Sequence, residues 1–162
     1  MLFRSKLSGQ YTQDQMRLFA AVQADGCSTP KELKFTLKKL RKIERLRMLL
    51  TACGIEYREY TCAAYPDRVE FHIPKGRRPE WLGHDKKVFG AWVLDTTHDG
   101  LDAFVNELEH WDGSPHADGG VRYVSNIEAN ITWATTAAAL VGRKASRHVR
   151  ASGDRKSTRL NS

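Results

Sequence analysis

The sequence is poor in cysteine, has no long apolar run and shows no metal-ligand spacing among its histidines. Its three cysteines, Cys27, Cys53 and Cys62, are odd in number and form no C-x-x-C pair. That argues against a disulfide framework and a cysteine-held zinc, and it fits a reducing compartment. No stretch approaches the roughly 18 uninterrupted apolar residues of a membrane span. The first residues lack the apolar core of a secretory signal. His72, His84, His98, His110, His116 and His148 include no H-x-x-x-H or similar pair. No membrane partner is expected.

What is present is a globular composition with a basic bias. Hydrophobic residues make up 41% and charged residues 28% of the 162, enough for one ordinary core and hence one domain. The formal net charge of +7 points toward a polyanionic partner, although many basic proteins bind none. Two terminal stretches, MLFRS at 1–5 and DRKSTRLNS at 154–162, resemble translated sequencing-adapter sequence and are expected to carry no fold information. Without Arg4 and the net +2 of residues 154–162, the charge falls from +7 to +4, so the bias survives.

Periodicity supplies the elements. Thr12 followed by Gln15 is a capping-box pattern. The helix it opens places Met16, Phe19, Ala20 and Gln23 near one side and ends at Gly26. LKFTL at 33–37 alternates as a strand. Leu40, Ile43, Leu46, Leu49 and Leu50 then recur at helical spacing up to Gly54. YREYTC (57–62) and RVEFHIP (68–74) read as a hairpin turned by Tyr65-Pro66-Asp67. Residues 76–98, with Trp81, Val88, Phe89, Trp92 and Leu94 set among glycines, read as a packed connector. A second series follows: a helix capped by Asp99 with Leu101, Phe104, Val105, Leu108 and Trp111 on one stripe, a strand at 119–125, a helix through 127–142 and a strand at 144–150.

Two apolar helices therefore end on Asp-Gly. Setting Asp25 on Asp112 gives an offset of 87, and setting Phe35 on Tyr123 and Gly54 on Gly142 gives 88. Landmarks in register at one period indicate an internal repeat, with two like halves packed about an approximate two-fold axis. The first repeat covers 10–75, the connector 76–98 and the second repeat 99–153. The second is expected to be incomplete, because the counterpart of 68–74 falls near 156–162. An Asp has the wrong sign for a helix C-terminus, where the macrodipole favours cations. Either the two are turn residues ahead of glycines, or two carboxylates are held together for a shared task.

LFAAVQADG (18–26) and VNELEHWDG (105–113) resemble the paired nine-residue motifs of the LAGLIDADG homing endonucleases, in the two-repeat form embedded in inteins (the DOD type). The first copy has small residues at Ala20, Ala21 and Ala24. The second keeps Leu108, Asp112 and Gly113 but carries Glu107 and Trp111 where small residues are usual. The resemblance implies an α+β fold of two pseudo-symmetric αββαββ half-domains, with the motif helices at their interface and the second half truncated. It implies site-specific cleavage of double-stranded DNA with Mg²⁺ by a monomer containing an internal pseudo-dimer, cytoplasmic and encoded by a bacterium or phage. In that reading Asp25 and Asp112 bind metal and act on opposite strands. Lys38 is the basic residue at the active-site water or scissile phosphate, with Lys39 second. Relatives that bind DNA or RNA without cutting supply the alternative. The chain shows no splicing block, so an intron-encoded or free-standing form is the other expectation.

The chemistry is consistent with those residue types. Phosphodiester hydrolysis needs a nucleophilic water and relief of charge on the phosphate, and a divalent metal supplies both. Mg²⁺ is commonly held by one or two carboxylates, with waters and substrate phosphates filling the shell. Lys34, Arg58, Arg68, Arg122, Lys144 and Arg147 lie on predicted strands, where such side chains can reach phosphates and base edges. Each also fits an ordinary solvated face. Arg41, Lys42, Arg45 and Arg47 read as a solvated helix face, with Arg41 and Lys42 starting close to the site. Trp111 is expected in the seam between the helices.

Overall fold

The computed structural model describes residues 9–111, 113–115, 121–149 and 156–161. The first helix, α1 (Gln13–Asp25), opens on the expected capping box. The Gln15 amide donates to Thr12 Oγ1 at 3.2 Å, and the Thr12 amide donates to Gln15 Oε1 at 2.9 Å. Leu18 to Gln23 are buried without a break, so the second half of α1 is enclosed on all sides, not on one stripe.

Gly26 does not close α1 in the left-handed manner expected of a glycine cap. Its φ of −77° and ψ of 134° are extended, and the chain passes straight into β1 (Gly26–Ser28). Glycine is required there by space: a Cβ would lie 2.7 Å from the Val22 carbonyl oxygen.

The strand β2 (Glu32–Leu37) pairs antiparallel with β1 and β4. Leu33, Phe35 and Leu37 point into the core, as period-two alternation requires. After α2 (Leu40–Ala52), β3 (Arg58–Cys62) and β4 (Tyr65–Pro74) form a hairpin. Its turn lies at Ala63-Ala64, and Tyr65, Pro66 and Asp67, expected to turn the chain, begin β4. The first sheet has the order β1-β2-β4-β3.

The connector is packed, as expected. It forms four short 3₁₀ turns with Leu82, Phe89 and Val93 buried. Trp92 stands edge-on to Phe19 with ring centroids 4.6 Å apart, and Phe89 packs on Phe104 at 4.9 Å.

The helix α3 (His98–Trp111) starts two residues earlier than a cap at Asp99 would give. Thr97, not Asp99, meets its first turn, with Oγ1 accepting from the Gly100 amide at 3.1 Å. After it come β5 (Gly113–Pro115), β6 (Val121–Ser125), α4 (Glu128–Leu140), β7 (Lys144–Val149) and β8 (Lys156–Asn161). The second sheet has the order β5-β6-β8-β7.

Residues 156–161, expected to lie outside the fold, therefore form β8 between β6 and β7, the place β4 holds in the first sheet. Backbone pairing explains why that stretch is not excluded by its composition: a strand between two neighbours gains its hydrogen bonds from the main chain, whatever its side chains.

The two series share local detail. Gly54 and Gly142 sit at φ +66° and +81°. Each donates to the carbonyl three residues back, while Ile55 and Arg143 donate to Leu50 and Ala138 at 2.9 Å. That is the same Schellman closure on α2 and α4.

Candidate functional site

The helices α1 and α3 pack directly against each other, and Ala20, Ala21 and Val22 of α1 and Phe104, Val105 and Leu108 of α3 are buried. Asp25 is the last residue of α1, and α1 has no basic residue of its own in its last turn. The compensating charge comes from elsewhere. Lys42, in the first turn of α2, places Nζ 2.5 Å from Asp25 Oδ2. Lys87, from the connector, donates to the Val22 and Gln23 carbonyls at 3.0 and 2.6 Å. Arg41 does the same for α3, donating to the His110 carbonyl at 2.7 Å. Cations on the last carbonyls of a helix are the favourable arrangement that Asp25 alone would violate.

A second carboxylate lies deeper in the seam. Glu107 is 1% exposed and receives both hydrogen bonds of the Arg45 guanidinium at 2.6 Å. Trp111 Nε1 donates to the same carboxylate at 2.8 Å. Glu107 stands where a small residue is expected, and Arg45 is what makes it tolerable, since a buried charge must be paired and hydrogen-bonded. Its hydrogen bonds to Glu107 hold the Arg45 guanidinium above its ordinary value. Trp111 lies in the seam as expected, with Lys42 Nζ 5.6 Å from its ring centroid.

Arg45 and Lys42 are thus not on a solvated face. The signal was in the spacing: Lys42, Arg45, Leu46 and Leu49 recur at i, i+3, i+4 and i+7, which puts both cations beside the buried stripe of α2. Among the described residues the seam end carries four cations (Arg41, Lys42, Arg45 and Lys87) against the two carboxylates of Asp25 and Glu107.

Lys38 is not brought to Asp25. It is 69% exposed and pairs with Asp67 of β4 at 2.8 Å, and its hydrogen bond holds the Asp67 carboxyl below the usual range. Lys39 is exposed at the cap position of α2. Asp112 lies outside the described residues.

The open face of the first sheet gathers the strand cations. Lys34 and Arg58 both pair with His72 across β4, so the three stand in one row, and Arg68 has the same parity on β4. Its guanidinium lies 4.5 Å from the Tyr65 ring centroid. Acids share this face: Glu70 lies 3.4 Å from Lys34, and His72 lies between Glu70 and Glu32 at 3.3 and 3.5 Å.

On the second sheet Arg122 has the parity opposite to buried Tyr123. Lys144 is exposed and lies on the Arg122 side by register. The side chain of Arg147, also expected to contact DNA, lies outside the described residues.

No group of three or more His, Cys, Asp or Glu side chains among the described residues is placed to hold a metal ion. Asp25 offers a single carboxylate. That suits a hard cation completing its shell with water and phosphate oxygens, but the Lys42 ammonium already stands on one of the two oxygens.

No family model and no curated protein matches the sequence. Solved structures do. The N-terminal LAGLIDADG domain of DUF199/WhiA matches with a TM-score of 0.62 at 12% identity, over 99% of this chain and 84% of that one. Mesophilic variants of the homing endonuclease I-DmoI match with a TM-score of 0.65 at 11% identity, over 92% of this chain and 88% of theirs. The chain has the LAGLIDADG fold. I-DmoI in complex with DNA and Mn also matches, with a TM-score of 0.61 at 12% identity, over 92% of this chain and 89% of that one. At such identity the likeness is one of fold. In this chain's version of the LAGLIDADG fold, residues 18–26 are the buried end of α1 and the first residue of β1, while residues 105–111 end α3. No described helix is long and apolar enough to cross a membrane.

Proposed function

We propose that this chain binds double-stranded DNA across the open faces of its two sheets and cleaves it at the α1–α3 seam with a divalent metal, as a homing endonuclease. One observation carries the reading. A helix-terminal carboxylate, Asp25, sits in a seam where cations outnumber carboxylates four to two among the described residues. Such a place attracts phosphate oxygens and offers a metal an oxygen ligand. The divalent metals and DNA named with I-DmoI support the same reading by fold.

In this proposal Asp25, with Asp112, would hold Mg²⁺, which supplies Lewis acidity and a water made nucleophilic. Arg41 and Lys87 keep the ends of both helices neutralised while DNA phosphates approach. Lys34, Arg58, Arg68, Arg122 and Lys144 contact the duplex, with Lys38 and Lys39 at its flank. Two αββαββ halves in one chain make it a monomer with an internal pseudo-dimer. The endonuclease part of an intein or intron is the source this implies.

The second reading is a LAGLIDADG-fold protein that binds DNA without cutting it. Lys42 seated on Asp25 and Lys38 turned to Asp67 favour it. A randomised duplex library, incubated with the protein with and without Mg²⁺ and sequenced for cut ends, separates the two. Enriched cut sites that vanish in Asp25→Asn support cleavage. Retention of duplex with no cut ends at any Mg²⁺ concentration leaves the binding reading alone.

A further inference from the structure

Lys42 is the feature that the proposed reaction does not account for. Its Nζ lies 2.5 Å from Asp25 Oδ2, and both side chains are withdrawn from water, at 13% and 26% exposure. The same ammonium faces the ring of Trp111 on α3. Charge pairing at that distance and burial is stronger than at an open surface. It is also exclusive: an ammonium and a divalent cation cannot both sit on one carboxylate oxygen without repelling each other.

Lys42 is held there by the helix that carries it. Ile43 and Leu46, one and four residues further along α2, are buried in the core, so the backbone of α2 cannot withdraw. Only the four-carbon side chain can swing, and it is flexible enough to do so. The cations around it are otherwise engaged: Arg41 on the His110 carbonyl, Arg45 on Glu107, and Lys87 on the Val22 and Gln23 carbonyls.

We infer that Lys42 is a built-in counter-ion that competes with divalent metal for Asp25, keeping metal affinity low until a phosphate draws the ammonium away. This rests on the proposed reading of Asp25 as a metal ligand. Any group that removes Lys42 from Asp25 raises metal affinity, and metal binding frees Lys42 for an anion by the same factor. The free protein therefore holds metal poorly, and a docked duplex, by supplying the phosphate, completes the site.

The test is Mn²⁺ binding to the full chain without DNA, followed by electron paramagnetic resonance of free Mn²⁺. Lys42→Met and Lys42→Gln are expected to bind Mn²⁺ about tenfold more tightly than the unaltered protein, the size of a partly buried ion pair. The gain should disappear when Asp25→Asn is added. Thermal melting shows that both variants are folded, and two replacements of different polarity guard against a packing effect. Unchanged Mn²⁺ affinity in both variants overturns the inference, as does a gain that survives Asp25→Asn. If Asp25→Asn abolishes binding while the Lys42 variants match the parent, only the counter-ion role falls. If Asp25→Asn leaves Mn²⁺ binding intact in every background, the metal reading of Asp25 falls with it.

Discussion

The Tyr123 hydroxyl of β6 donates to Gln23 Oε1 of α1 across 2.7 Å, with both side chains buried. A strand of the second sheet is thereby tied to the helix that precedes the first sheet, two residues before Asp25. Tyr123→Phe leaves that amide oxygen without its donor in a buried place. The expected loss is about 1–2 kcal/mol, read from the midpoint of urea unfolding.

Arg45 and Glu107 predict a sharper effect. Arg45→Ala strands a carboxylate that is 1% exposed and is expected to cost about 3 kcal/mol. Replacing both residues by leucine should recover most of that loss, because a well-packed apolar pair removes the uncompensated charge. Chemical denaturation of the two variants side by side measures the difference.

The open sheet faces predict a salt signature. If Lys34, Arg58 and Arg122 each contact a phosphate, replacing any of them by glutamine lowers the slope of log affinity against log salt by about 0.9. Fluorescence anisotropy of a labelled duplex at several salt concentrations gives the slopes.

Stability should fall in acid partly through Glu59. The two hydrogen bonds from Arg47, at 2.7 and 2.8 Å, hold the Glu59 carboxyl below its ordinary 4.5. A carboxylate with a depressed folded-state value contributes stability that is present above pH 4.5 and lost as pH drops through the folded value. Arg47→Ala should therefore separate from the parent near neutral pH and converge with it as pH falls through the folded value. Urea midpoints across that range show the convergence.

The cysteines predict a count. Cys27 and Cys62 are exposed, while burial pushes the Cys53 thiol up to about 12. A thiol reagent at pH 8 should modify two groups per chain promptly and the third only in denaturant.

Much of this architecture was legible because periodicity and caps are local. The Thr12–Gln15 box, the α2 stripe and the glycines at 54 and 142 each announce an element from a few adjacent residues. What escaped depended on distance. Gly26 looked like a left-handed cap because glycine after an apolar helix usually is one, and only the Val22 carbonyl shows that space, not φ, sets the requirement. Arg45 looked solvated because its partner is 62 residues away on another helix. Lys38, with Lys39 second, was the lysine expected at the site, and only the fold shows that Lys42 is the one that reaches Asp25. The composition of residues 156–161 gave no strand pattern, and their place between β6 and β7 is set by main-chain pairing.

The offset that sets Asp25 on Asp112 also sets Ala20 on Glu107. A chain assembled from two copies of its own first repeat would present a methyl group, not a carboxylate, to each Arg45. Both guanidiniums would then face a seam with nothing to accept them. The seam consequently has a polarity: one side brings the acid and the other the base. Two first repeats are not self-complementary here, and a stray second molecule offers its neighbour a worse fit than the chain offers itself.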